Sequence, residues 1–171
     1  MECYIYCTKG SPKLYKNNET AKYYLSDDEP VNPDDIFLNG KIVAVFSLNE
    51  VLPISSNKIA ETYYIAPGIK RAYKDCLPKE VKDILKESCL EFDELRTYLG
   101  SKDGYGWKIE NLRELNPHKD LQGRAPQSWQ YIEISKFKHV LISIKSQWVC
   151  KILNGKKTVE VRKSYPKLDK E

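Results

Sequence analysis

Apolar and polar positions divide the chain into short runs rather than long blocks. Cys3-Tyr4-Ile5-Tyr6-Cys7-Thr8 is β-prone and stops at Lys9-Gly10-Ser11-Pro12, which predicts a buried strand. Residues 11–39 are mostly polar, with Asn17-Asn18, Asp27-Asp28-Glu29, Pro30 and Pro33. They read as a long surface insertion holding one short helix at 20–25. Asn39-Gly40 then turns into residues 41–48, rich in β-branched side chains and expected in the middle of a sheet. Pro53 should stop or bend the pairing that follows, and residues 55–74 keep no period. Pro78 heads a run in which Val81, Ile84 and Leu85 share a helical face, and residues 93–99 end at Gly100. Both predict short peripheral helices.

Gly104-Tyr105-Gly106-Trp107 leads into Lys108-Ile109-Glu110, followed by an expected loop with Pro117 and His118. In residues 126–134, Trp129 and Tyr131 alternate with Ile132 and Ile134 one face over, so a strand follows. Residues 140–145 form the next strand. Ser146 stands where an N-cap would start a helix over 147–154, with Trp148, Val149, Ile152 and Leu153 on one side and Gly155 at its end. The last element is an alternating strand over 158–162. Strands outnumbering short helices, with one strand-helix-strand unit near the C-terminus, predict a single α+β domain over 1–171, built on a curved sheet or barrel.

Charge changes this picture. The formal net charge is only +4, but residues 136–171 carry ten Lys/Arg against three Asp/Glu, a balance of +7, while residues 1–135 carry eighteen against twenty-one, a balance of −3. Local basicity of this kind suits a polyanion-binding face, and equally a solvated lysine-rich tail. No apolar run reaches the length of a membrane helix and MECYIYCTKG lacks the features of a signal peptide, which together point to a cytoplasmic protein without a membrane partner. The cysteines Cys3, Cys7, Cys76, Cys89 and Cys150 form no C-x-x-C pair and stand at no zinc-ligand spacing, so free buried thiols are expected and no metal or other cofactor is.

On the terminal strand Thr158, Glu160 and Arg162 share a face while Val159 and Val161 take the other. Lys157 precedes them at the turn, and Lys145 ends the preceding strand. Lys145, Lys157, Glu160 and Arg162 can therefore converge on one cleft: cations for phosphate or a carbonyl oxygen, and Glu160 to orient them, accept from a base edge or act as general base. A salt-bridged surface strand has the same spacing.

The run LISIKSQWVCKILNGKKTVEVRKSYPK at 141–167 resembles the opening of ASCH domains in the PUA-like superfamily, with a G-x-K-x-x-E-x-R signature at Gly155, Lys157, Glu160 and Arg162. YIYCTKG at 4–10, GKIVAVF at 40–46, YLG…GYGW at 98–107 and PQSWQYIE at 126–133 are also similar to its bacterial and phage members. The order is rotated: the unit at 136–167, usually first in the family, here comes last, as in a circular permutation. A gene fragment spanning two tandem domains gives the same order. The resemblance implies a PUA-like β-barrel with flanking helices and a cleft for RNA or a modified nucleobase. Lys145, Lys157, Arg162 and Lys9 would be its cations, Thr8, Glu160, Gln127 and Ser128 its hydrogen-bonding groups, and Tyr6, Trp107 and Trp148 its aromatic surfaces. Core packing is the competing role for each ring, most of all for Trp129 and Trp148.

Some ASCH relatives hydrolyse 4-acetylcytidine with a lysine, a threonine and a glutamate, and others are associated with RNA cleavage. Lys157 matches the lysine, but Glu160 stands at the threonine position and Thr158 is two residues away. The leading expectation is thus an RNA or modified-nucleotide binding module. The alternatives are a small hydrolase with Lys157 and Glu160 as catalytic pair, and a phage-type accessory domain that meets a protein partner through its acidic 27–35 loop. Oligomeric state is left open by the residues.

Overall fold

A computed structural model describes residues 1–59 and 77–168, so Cys76 and the aperiodic stretch beyond residue 59 lie outside the described residues. In chain order the strands are β1 (Glu2–Cys7), β2 (Lys13–Lys16), β3 (Tyr23–Ser26), β4 (Ile36–Phe37), β5 (Lys41–Ser47) and β6 (Val51–Ile54), then the helices α1 (Lys79–Ser88) and α2 (Phe92–Leu99). β7 (Gly104–Lys108), β8 (Glu110–Asp120), β9 (Trp129–Ile134), β10 (Phe137–Ile144), α3 (Ser146–Leu153) and β11 (Val159–Arg162) complete an α+β chain. It divides into two compact units, the first built on Met1–Asn49 and Ile109–Lys157, the second on Glu50–Lys108 and Thr158–Lys167.

In the first unit a five-stranded sheet runs β8-β5-β1-β10-β9. β1 lies parallel to β10, with Cys3 opposite Val140 and Cys7 opposite Ile144, and antiparallel to β5. Residues 3–7 are all buried because both faces of β1 are covered, which explains a run with no polar alternation. On one face Tyr4, Tyr6, Val45, Leu115 and Leu141 form a cluster. On the other, α3 packs against β1, with its Cys150 beside Cys7.

The 11–39 insertion is a second sheet, ordered β3-β2-β4, rather than a bare excursion, and the helix expected at 20–25 is strand β3. Tyr23 and Tyr24 favour extended backbone there, and the register sets Tyr15 opposite Tyr24, with their rings stacked 5.6 Å apart. Leu14, Tyr15 and Leu38 are buried. The loop expected around Pro117 and His118 is likewise part of β8. The β5–β8 pairing jumps from Ile42↔Lys119 to Ala44↔Glu114, so Pro117 falls in a bulge where its missing N–H breaks no ladder bond.

In the second unit β11-β7-β6 form a three-stranded sheet. Pro53 does not end the pairing: it sits inside β6 opposite Tyr105, tolerated because β6 is an outer strand. α1 and α2 are not peripheral. Val81, Ile84, Phe92, Leu95 and Leu99 join Ile54 and Val161 in one core, since a small sheet supplies too few apolar side chains alone. Pro78 stands at the N-cap of α1 and Gly100 caps α2.

Candidate nucleic-acid interface

The signature spans the boundary between the units, with Gly155 and Lys157 in the first and Glu160 and Arg162 in the second. Gly155 ends α3 at φ +77°, where Lys156 N donates to Lys151 O at 2.9 Å and Gly155 N to Ile152 O at 3.0 Å. Those two bonds make a Schellman motif, and its left-handed residue is the reason for a glycine here. Ser146 is not the cap of α3. Lys145 holds that position, and the Ser146 hydroxyl donates instead to Pro12 O at 2.5 Å.

Around the C-terminal end of β10 the first unit assembles several of the expected residues. Thr8 N donates to Ile144 O at 3.0 Å on one side, and on the other Ser143 N donates to Ser128 O at 2.9 Å. The Ser143 hydroxyl bonds Pro126 O at 2.7 Å, which fixes the segment bearing Gln127 and Ser128 beside the strand. Lys145 follows directly. Lys145, Gln127 and Lys9 are exposed, while Thr8 and Ser128 are half-buried. Beyond them on α3, the half-buried Trp148 ring has the Lys151 and Lys157 ammonium groups each 4.9 Å from its centroid. Lys157 is only 3% exposed, so its stem packs while its charge meets the indole.

Two expected aromatic surfaces are not available for stacking. Tyr6 is 5% exposed and belongs to the β1 cluster, and Trp107 is fully buried with its indole N–H donating to Ser164 O at 3.1 Å. Trp107 lies on the middle strand of its sheet, paired with Glu160 on β11 and Val51 on β6.

In the second unit Arg162 and Glu160 form an ion pair at 3.0 Å, with side chains 12% and 8% exposed. Beside them burial raises the Tyr98 phenol, Arg162 pulls it back and Glu160 adds to the rise. Lys163 stands 5.2 Å from the Tyr98 ring centre. Glu160 is thus held as the partner of a guanidinium. The cavity of about 230 Å3 in this unit is lined by Pro53, Ile54, Val81, Ile84 and Tyr105 among others, and by none of the signature residues.

One constellation has no local signal in the sequence. Glu114 on β8 accepts from Lys16 Nζ at 2.7 Å, from the Tyr23 hydroxyl, and on its other oxygen from His118 Nε2 at 2.7 Å. Its members come from three strands, and only the i, i+4 pair Glu114 and His118 could have been suspected. No protein-family model, curated protein or solved structure matches the chain.

Proposed function

We propose that the chain is a polyanion-binding module of the ASCH, PUA-like kind, a curved barrel whose usual first element is encoded last. Its ligand is RNA or a modified nucleobase, held on the basic side of α3. The observation that carries this reading is the half-buried Trp148 ring with the Lys151 ammonium group 4.9 Å from its centroid, on the helix that follows exposed Lys145 and the Thr8, Gln127 and Ser128 groups at the end of β10; Lys157, equally near the ring, is too buried to meet a ligand. Cations offer phosphate contacts, the indole offers an aromatic edge, and the amide and hydroxyls offer donors and acceptors to a base. Hydrolysis of an acylated nucleoside by Lys157 and Glu160 has less support, because Glu160 is engaged by Arg162 and stands where the relatives carry threonine.

Fluorescence anisotropy of a labelled single-stranded RNA across a salt series tests the reading. Affinity should fall steeply with salt, and Lys145→Ala with Lys151→Ala should weaken binding and flatten the log–log slope by about 1.4, the share of two phosphate contacts on a single strand. Binding unaffected by salt and by both substitutions would remove α3 from the interface.

A further inference from the structure

β9 is the last strand of its sheet among the described residues, and its two faces differ. Ile132 and Ile134 pack against the Tyr4, Tyr6 and Leu141 cluster. On the opposite face Tyr131 keeps 37% of its surface exposed and Trp129 is half-buried, so the core role expected for Trp129 is only partly met. The two rings meet edge to face with centroids 5.4 Å apart. Val140 on β10 stands opposite Tyr131, which brings Lys138 onto the same face, and its ammonium lies 3.7 Å from the Tyr131 centroid. Ser135 and Lys136, at φ 52° and 70°, form the two-residue turn of this hairpin and keep Lys136 exposed at its tip.

Register places this ring pair relative to α3. Tyr131 pairs with Val140 and Val140 with Cys3; Trp129 pairs with Ile142 and Ile142 with Ile5. Trp129 and Tyr131 therefore share the sheet face of Cys3, Ile5 and Cys7, the one on which α3 lies with Cys150 beside Cys7. α3, which carries Lys151, and the β9 rings stand on one side of one sheet, within one unit. Exposed charge around the rings is mainly positive, Lys136 and Lys138 against Glu133.

We infer that Trp129, Tyr131 and Lys138 are the base-stacking part of the nucleic-acid surface, and that its ligand is single-stranded. The inference rests on the polyanion reading above. Unpaired bases have open faces to lay on the rings, and Lys138 can leave the Tyr131 ring for a phosphate as a base arrives. A duplex hides its base faces and would use the lysines alone.

Equilibrium binding of the full chain to a short oligouridine, to an abasic strand with the same backbone and to a duplex of the same length tests this. Oligouridine should bind roughly tenfold or more tighter than the abasic strand. Trp129→Ala with Tyr131→Ala should erase that difference and leave abasic binding and the salt slope unchanged. If the double variant loses its native circular dichroism spectrum, Tyr131→Leu, which keeps the apolar bulk without a ring, should lose part of the same advantage. Equal affinity for oligouridine and abasic strand, or tighter binding of the duplex, overturns the inference and leaves the polyanion reading standing. Failure to bind any of the three overturns both.

Discussion

The Lys16 ammonium lies 2.7 Å from Glu114 Oε2, and this pair ties the small sheet to β8 of the large one. With Tyr23 and His118 on the same carboxylate, Glu114 collects three donors while only 20% exposed. Burial pushes this carboxyl up, but the hydrogen bonds from Lys16, Tyr23 and His118, together with the Lys16 charge, outweigh it and hold Glu114 below its ordinary value of 4.5. A folded-state value lower than the unfolded one stabilises the fold above that ordinary value, and the contribution is lost as pH falls through the folded one. Thermal melts over an acid pH series should show the wild type losing midpoint in this window. Glu114→Gln should start lower at neutral pH and lose less. Parallel pH profiles would mean the donors do not hold the carboxylate.

Asn39 has a comparable role at the base of the insertion. Its Oδ1 accepts from Leu14 N at 2.7 Å, and its Nδ2 donates to Gly10 O at 2.9 Å and Pro12 O at 3.1 Å, with the residue 6% exposed. Removing it strands the buried Leu14 N–H and takes a donor from Gly10 O and from Pro12 O, of which Pro12 O keeps the Ser146 hydroxyl. Asn39→Ala should cost about 1–3 kcal/mol in urea denaturation, the usual penalty of a buried N–H left unmet. Asn39→Asp, which keeps the acceptor for Leu14 but turns a second carboxyl oxygen toward Gly10 O and Pro12 O, should cost at least as much at neutral pH.

These two hubs mark where the sequence was hard to read. β1, β5 and β10 were legible because strands covered on both faces are apolar throughout, as in Ile42-Val43-Ala44-Val45-Phe46. The small sheet was not, since its strands are short and it is tied in by Asn39 and Glu114, reached across 25 and 98 residues of chain from Leu14 and Lys16. Pro53 and Pro117 misled for a related reason: an outer strand and a bulge accept proline, and neither can be recognised before the partner strands are known. At the candidate site, spacing correctly marked Gly155 as a helix stop and paired Glu160 with Arg162 on one face. It could not tell an enclosed Trp107 from a half-exposed Trp129, because ring exposure depends on what lies across the sheet.

The thiols differ in burial. Cys3 and Cys7 are fully buried and pushed up to about 12 by loss of water around the thiolate, whereas Cys89 is half-exposed just after α1. The thiolate is the reacting form, so brief N-ethylmaleimide treatment of the native protein should label Cys89 and spare Cys3 and Cys7. Peptide mass mapping reads this directly, and denaturant should bring both protected thiols into reaction. Native labelling of Cys7 at the Cys89 rate would contradict the packing of α3 on β1.

In the second unit, Gly104 starts β7 against the end of α2. A Cβ there would stand 2.5 Å from Leu99 Cδ2 and 2.8 Å from Cδ1, closer than real contacts allow, and Leu99 is only 2% exposed. The leucine cannot turn aside into solvent without leaving the core that α2 shares with Ile54 and Val161. Gly104→Ala should therefore destabilise by about 1–3 kcal/mol, the usual cost of overpacking. Leu99→Ala alone should cost about 2–5 kcal/mol through the space it leaves. In the double variant the added methyl enters that space, so the combined loss should be smaller than the two single losses together. Urea denaturation of all four proteins measures the difference, and strict additivity would show that Gly104 is required for some reason other than room for Leu99.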